Sequence, residues 1–114
     1  MDNIERDLLR GHLEGMVLSI LETGEAHGYE ILKRFQARGA GSLTLKEGSL
    51  YPALYRLEQE GLIRGKWETG GEKRRGPRRR IYSLTEKGRK ELARKRSTWQ
   101  TFAQVVGNIM EATS

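Results

Sequence analysis

Six of the ten side chains in residues 71–80, GEKRRGPRRR, are Lys or Arg. Cations at that density do one kind of chemistry well. Lys73 is a point charge and Arg74, Arg75, Arg78, Arg79 and Arg80 are planar forks, and both kinds bind phosphate. A second group lies upstream in KEGSLYPALYRLEQEGL, where Lys46, Ser49, Tyr51, Tyr55 and Arg56 offer cations and hydroxyls and Gly48 beside Pro52 permits close approach. Nothing comparable points to catalysis. The chain has no cysteine, which excludes disulfides, iron–sulfur clusters and thiolate zinc sites. His12 and His27 stand fifteen residues apart without a carboxylate at ligand spacing, so no metal site is expected. No serine sits at an elbow motif, and the glycines fit neither phosphate-loop pattern. Neither an enzyme nor a cofactor is expected.

The cations are concentrated in one third of the chain. Residues 1–63 hold seven Lys/Arg against ten Asp/Glu, residues 64–96 fourteen against four, and residues 97–114 none against Glu111, so the net +6 arises from a central +10. Runs of like charge are commonly solvated faces. A basic stretch on an otherwise acidic chain is also the electrostatic footprint of nucleic-acid binding. At 114 residues the chain is one domain with a modest core, and a second copy would help to bury apolar surface. No apolar run approaches the roughly eighteen residues of a membrane span. The first residues are charged, so a cytoplasmic protein without a membrane partner is expected.

These groups must be positioned by elements that the periodicity predicts. Leu9, Leu13, Met16, Val17, Ile20 and Leu21 recur at helical spacing up to Gly24, after a cap at Asp2 or Asn3. A shorter helix follows in AHGYEILKRFQARGAG, with Ile31, Leu32 and Phe35 on one side and glycines 39 and 41 at its end. His27 is expected to help start it, and Tyr29 to lie near a bound nucleic-acid backbone or pack under the basic tip. A third helix carries the stripe Leu50, Leu54, Leu57 and stops at Gly61, in a left-handed cap. Pro52 cannot donate a backbone bond and presses on the carbonyl of residue 48, which is a glycine that lets the backbone tilt. From Leu62 the period falls to two, giving two strands, LIRGKWETG and RRRIYSL, joined by the basic tip with its turn residues Gly70, Gly71, Gly76 and Pro77. Thr85 can cap a last helix whose second half is apolar.

Three helices, a hairpin and a long terminal helix make a mainly α protein with a small β-hairpin. The layout is that of a winged helix-turn-helix over residues 1–84, with a dimerisation helix appended over residues 85–114. In it the third helix lies in the DNA major groove and the hairpin is a wing along the backbone, or in the minor groove where arginine is favoured. Period-2 geometry points Arg79 opposite to Arg78 and Arg80, so not all three reach one duplex. A solvated wing, an RNA-binding arginine patch, or an interaction module that pairs through WQTFAQVVGNIM are the rival readings.

HLEGMVLSIL, AHGYEI, EGSLYPALYRLEQEGLI, RRRIYSLTEKGR and a Trp in the last helix together resemble the PadR family of bacterial transcription regulators, over nearly the whole chain. EGSLYPALYRLEQEGLI is the specific part, and the length fits the short subfamily with one terminal helix. The resemblance implies a homodimeric repressor that binds a palindromic operator in double-stranded DNA and is released by a small, often aromatic, effector. It favours Tyr51 as a phosphate ligand, the plainer alternative being packing at the rim. For Trp99 it implies a flat pocket between subunits where planar ligands stack, the plainer alternative being a dimer anchor. Met16, Trp99 and Phe102 are the expected borders of that pocket. Leu9, Leu13, Trp99, Phe102, Val106, Ile109 and Met110 are the expected dimer face. The chain departs from the family pattern at Lys46, where a capping Ser or Asn is expected.

Overall fold

Leu13, Val17, Leu18, Ile20 and Leu21 leave almost no surface to water in the computed structural model, which describes residues 6–69 and 78–111. They lie on helix α1 (Arg6–Glu22), and the body of the protein assembles around that stripe. Strand β1 (Ala26–His27), helices α2 (Gly28–Arg38) and α3 (Glu47–Gln59), strands β2 (Ile63–Trp67) and β3 (Arg80–Leu84), and helix α4 (Glu86–Met110) follow. Helix α2 contributes Ile31 and Phe35 to the core, α3 contributes Leu50, Ala53, Leu54 and Leu57, and the sheet contributes Ile63 and Tyr82.

Local chemistry sets the element ends. His27 is the N-cap of α2, its Nδ1 accepting from the Glu30 backbone N–H at 3.3 Å. Helix α3 ends where Gly61 turns left-handed at φ 76°; Leu62 N–H then bonds the Leu57 carbonyl and Gly61 N–H that of Glu58. This is the paired bonding of a Schellman cap. Pro52 sits within α3 and the helix runs through it. Between α2 and α3, Ala40 takes φ 53° ahead of Gly41 at φ 79°. The expected caps at Asp2 and Asn3 and the turn residues at 70, 71, 76 and 77 lie outside the described residues.

The hairpin expected from the sequence is part of a three-stranded antiparallel sheet in the order β1-β3-β2. Ala26 pairs with Tyr82 and His27 with Ile81, which adds the strand that period-2 reasoning did not find. Two residues are too few to show an alternation. That strand matters for the site, because it ties the start of α2 to the base of the wing.

Thr85 caps α4 by accepting from Gly88 N–H at 3.0 Å, while its own hydroxyl donates to the Gly61 carbonyl at 2.7 Å. Gly88 lies so close to the Leu62 carbonyl that no side chain fits between them. Leu92 is the last buried residue of α4. The rest of the helix runs beside α1 and beyond, giving a molecule 65 Å long and 32 × 21 Å across. No described helix is long and apolar enough to cross a membrane.

Candidate nucleic-acid interface and apolar face

With Leu50, Leu54 and Leu57 turned inward, α3 leaves Gly48, Ser49, Pro52, Tyr55 and Gln59 exposed. This outer face is short of charge and rich in hydroxyl and amide groups, which suits contact with base edges. Lys46 is the N-cap and makes no side-chain capping bond. The cap therefore stays at the position where the chain departs from the family pattern, and it adds a cation to the positive end of the helix. Tyr51 is 43% exposed and its hydroxyl lies against Gly28, where any side chain at that glycine would collide with it. Tyr51 thus packs at the rim and locks α3 to the start of α2.

Two arginines expected at the DNA make ion pairs within the chain. Arg56 Nε is 2.9 Å from a carboxylate oxygen of Glu14 on α1. Arg80 crosses over Gly65 to an ion pair with Glu58 on α3, and Gly65 has no side chain to obstruct it. In each case one nitrogen of the guanidinium faces a carboxylate of the chain itself, so a phosphate contact would be made beside that pair or in exchange for it.

At the base of the wing the arginines split by side as the strand period required. Arg78 and Arg80 stack over Trp67, at 5.7 and 5.3 Å from the ring centre, and Trp67 stays half exposed. Arg79 turns to the other side, with Nη1 3.0 Å from His27 Nε2. Lys73, Arg74 and Arg75 lie outside the described residues.

On that other side an open groove of about 500 Å³ runs between α2 and Arg79, the residue just before β3, lined by His27, Tyr29, Glu30, Lys33, Arg34, Ala37 and Arg79. Tyr29 is 65% exposed, its ring stacked near His27 and covered by the Lys33 ammonium at 5.5 Å. Arg34 bonds Glu30 at 2.9 Å and also reaches the Gly24 and Glu25 carbonyls. The Arg34 hydrogen bond holds the Glu30 carboxyl below the usual carboxylate range. Sequence reasoning gave Lys33 no role, although Tyr29 and Lys33 are four apart on the helix face opposite Ile31 and Phe35. That spacing was the available signal.

The central charge excess is not one patch. Arg94 and Lys95 pair with Glu91 within α4, Arg96 pairs with Glu22 of α1, and Lys87 donates to the Glu60 carbonyl. Lys33, Lys46, Arg64 and Lys66 are among the described cations for which no such pair is seen.

The distal half of α4 presents Trp99, Phe102, Val105, Ile109 and Met110 to solvent, and Leu8 of α1 is exposed as well. Trp99 meets the His12 ring edge-on at 5.1 Å and lies 6.3 Å from Phe102. A shallow groove bordered by Phe102 and Val105 runs along Ser97, Thr98 and Thr101. Met16 packs half-buried against the core. Leu13, expected on the dimer face, is instead buried in the chain's own core, and Leu9 packs against that core. Leu8 and Val105 are exposed apolar residues that the sequence reading did not place there.

The sequence profile of the Transcriptional regulator PadR-like family matches residues 17–94. The fold is similar to that of a transcriptional regulator from Clostridium thermocellum, with a TM-score of 0.83 and 30% identity over 94% of this chain and 98% of the other. The Negative transcriptional regulator PadR of Bacillus subtilis is 31% identical over 80 residues, 70% of this chain and 42% of that protein. The structure of Bacillus subtilis PadR in complex with operator DNA is similar at a TM-score of 0.62 and 30% identity, over 71% of this chain and 44% of that one. This chain therefore spans less than half of the Bacillus subtilis protein.

Proposed function

The chain belongs to the PadR-like family of transcriptional regulators, and on that premise we propose that it is a homodimeric repressor whose two α3 helices read a palindromic operator. The uncovered apolar stripe on α4 carries this reading. Trp99, Phe102, Val105, Ile109 and Met110 are each about half exposed or more on one helix, and a second copy related by a two-fold axis would cover both stripes at once. Two winged-helix bodies joined in this way hold two recognition helices, whose half-sites lie about one helical turn apart or slightly more. Residues 1–84 would serve DNA and residues 85–114 pairing.

Ser49 and Tyr55 are the groups placed to read bases, with Lys46 and the wing on phosphate. The partner named for Bacillus subtilis PadR, operator DNA, supports DNA as the ligand of this face. Met16, Trp99 and Phe102 would border an effector site at the seam, with His12 against the Trp99 ring. A planar ligand would release DNA if it binds the DNA-free spacing of the two bodies more tightly.

Selection of bound duplexes from a randomised library at moderate salt, with light scattering on the same preparation, tests the proposal. A palindromic motif and a dimeric mass are the expected results. Enrichment without a motif, or a monomer at micromolar concentration, would refute it.

A further inference from the structure

Both ring nitrogens of His27 face N–H donors. Nδ1 lies 3.3 Å from the Glu30 backbone N–H and Nε2 lies 3.0 Å from Arg79 Nη1. A neutral imidazole has one lone pair to offer, and a guanidinium only donates. While Nδ1 caps α2, Nε2 carries the proton, so His27 and Arg79 aim two donors at one point. In the other tautomer Nε2 accepts from Arg79, and the cap of α2 is given up. A single anionic oxygen beside both groups removes the conflict, because it accepts from each while Nδ1 keeps the helix start.

The surroundings select the ligand. Arg34 neutralises Glu30, the one carboxylate among the described residues that line the groove, and is itself engaged with Glu30 and the carbonyls of Gly24 and Glu25. Lys33 and Arg79 remain as cations facing the groove, with the exposed Tyr29 hydroxyl between α2 and solvent. The groove is open along its length rather than closed around a small ion. It also lies between the start of α2, which Tyr51 of α3 packs upon, and the wing base that supplies Arg79.

The geometry points to a phosphate clamp for the DNA backbone, formed by His27 Nε2, Arg79, Lys33 and Tyr29, separate from the outer face of α3 and from the tip of the wing. The inference rests on DNA binding by α3, and its occupant is one phosphate per protomer of the duplex that α3 reads. Phosphate is common to all sequences, so the clamp adds affinity without adding preference.

His27→Asn keeps a side-chain oxygen for the α2 cap and removes the outer donor, while Lys33→Gln removes an exposed cation. Each is titrated, beside the unaltered full chain, against the duplex enriched from the random library and against a scrambled duplex, from 50 to 200 mM salt. His27→Asn is expected to weaken both duplexes by about a hundredfold per dimer, about tenfold for each of two lost hydrogen bonds to a charged group, with its thermal midpoint unchanged. Lys33→Gln is expected to shrink the salt slope by about two per dimer, one for each phosphate contact. Wild-type affinity and slope in Lys33→Gln would overturn the clamp while leaving DNA recognition by α3 intact. Failure of the unaltered chain to bind either duplex would overturn both.

Discussion

The two ends of α4 rest on different things. At its start, Thr85 bonds Gly88 and Gly61, Gly88 lies against the Leu62 carbonyl, and Leu92 is buried among core residues. Seven residues later Trp99 is half exposed, and Ile109 and Met110 are about three-quarters exposed. Helices within proteins gain most of their stability from packing an amphipathic face. The first end has that packing within the chain and the second does not. On the proposed pairing, order in the distal turns is coupled to the second copy that covers them, and protein concentration enters the stability of this half more than that of the docked end.

The comparison is broken most severely by adding bulk at the docked end. Gly88→Val places carbon against a backbone carbonyl that cannot rotate away, and the expected loss is about 3 kcal/mol, the upper part of the usual range for overpacking. Urea unfolding followed by circular dichroism measures it, and a loss near zero would mean that α4 does not need this contact. Phe102→Glu acts at the other end. It is expected to weaken pairing by about 2 kcal/mol, the level of an interface hot spot and roughly thirtyfold in Kd, while the core under Leu92 stays intact. Sedimentation across a dilution series reads that change. Equal loss of body stability and of pairing would mean that the two ends are not separable.

Thr85→Ala is milder and sharpens the same contrast. It removes the side-chain acceptor for Gly88 N–H and the donor to the Gly61 carbonyl, for an expected loss of about 1 kcal/mol. Dimer affinity should change little. A large change in pairing would show that the start of α4 sets the angle at which its apolar half is presented.

The sequence made this contrast legible only in part. The stripe of Leu50, Leu54 and Leu57 and the left-handed Gly61 followed from periodicity and local backbone chemistry, which act within a few residues. The split of Arg78 and Arg80 from Arg79 likewise followed from the strand period. Arg56 and Arg80 illustrate what period does not contain, because their carboxylate partners are 42 and 22 residues away in sequence. Leu13 was read as seam for a related reason: α1 is apolar on more than one side, and which side meets the core is decided by the elements that fold onto it. The +10 segment was legible as charge but not as surface, since Arg94, Lys95 and Arg96 are tied to Glu91 and Glu22. His12 beside Trp99 joins α1 to α4 across a gap in sequence that no local rule spans.

Between the two ends of α4, at the place where burial stops, Arg96 bonds Glu22 at 3.0 Å and reaches the Ser19 hydroxyl at 3.2 Å. The hydrogen bond and charge of Arg96 hold the Glu22 carboxyl below its ordinary range, with Arg89 and Arg38 adding to the effect. A carboxyl depressed in the folded state favours folding at every pH above its unfolded value, and that favour is lost as pH falls through the lower, folded value. Thermal midpoints should therefore drop on acidification across the lower carboxylate range, in part through this pair. Glu22→Gln should remove that part while altering the midpoint little at neutral pH, since exposed ion pairs contribute small amounts. Of the changes considered it has the smallest expected effect, yet it tests where the docked half ends. If the acid sensitivity of Glu22→Gln matches that of the unaltered chain, the Arg96 bond does not secure α4 to α1, and the boundary lies at Leu92 alone.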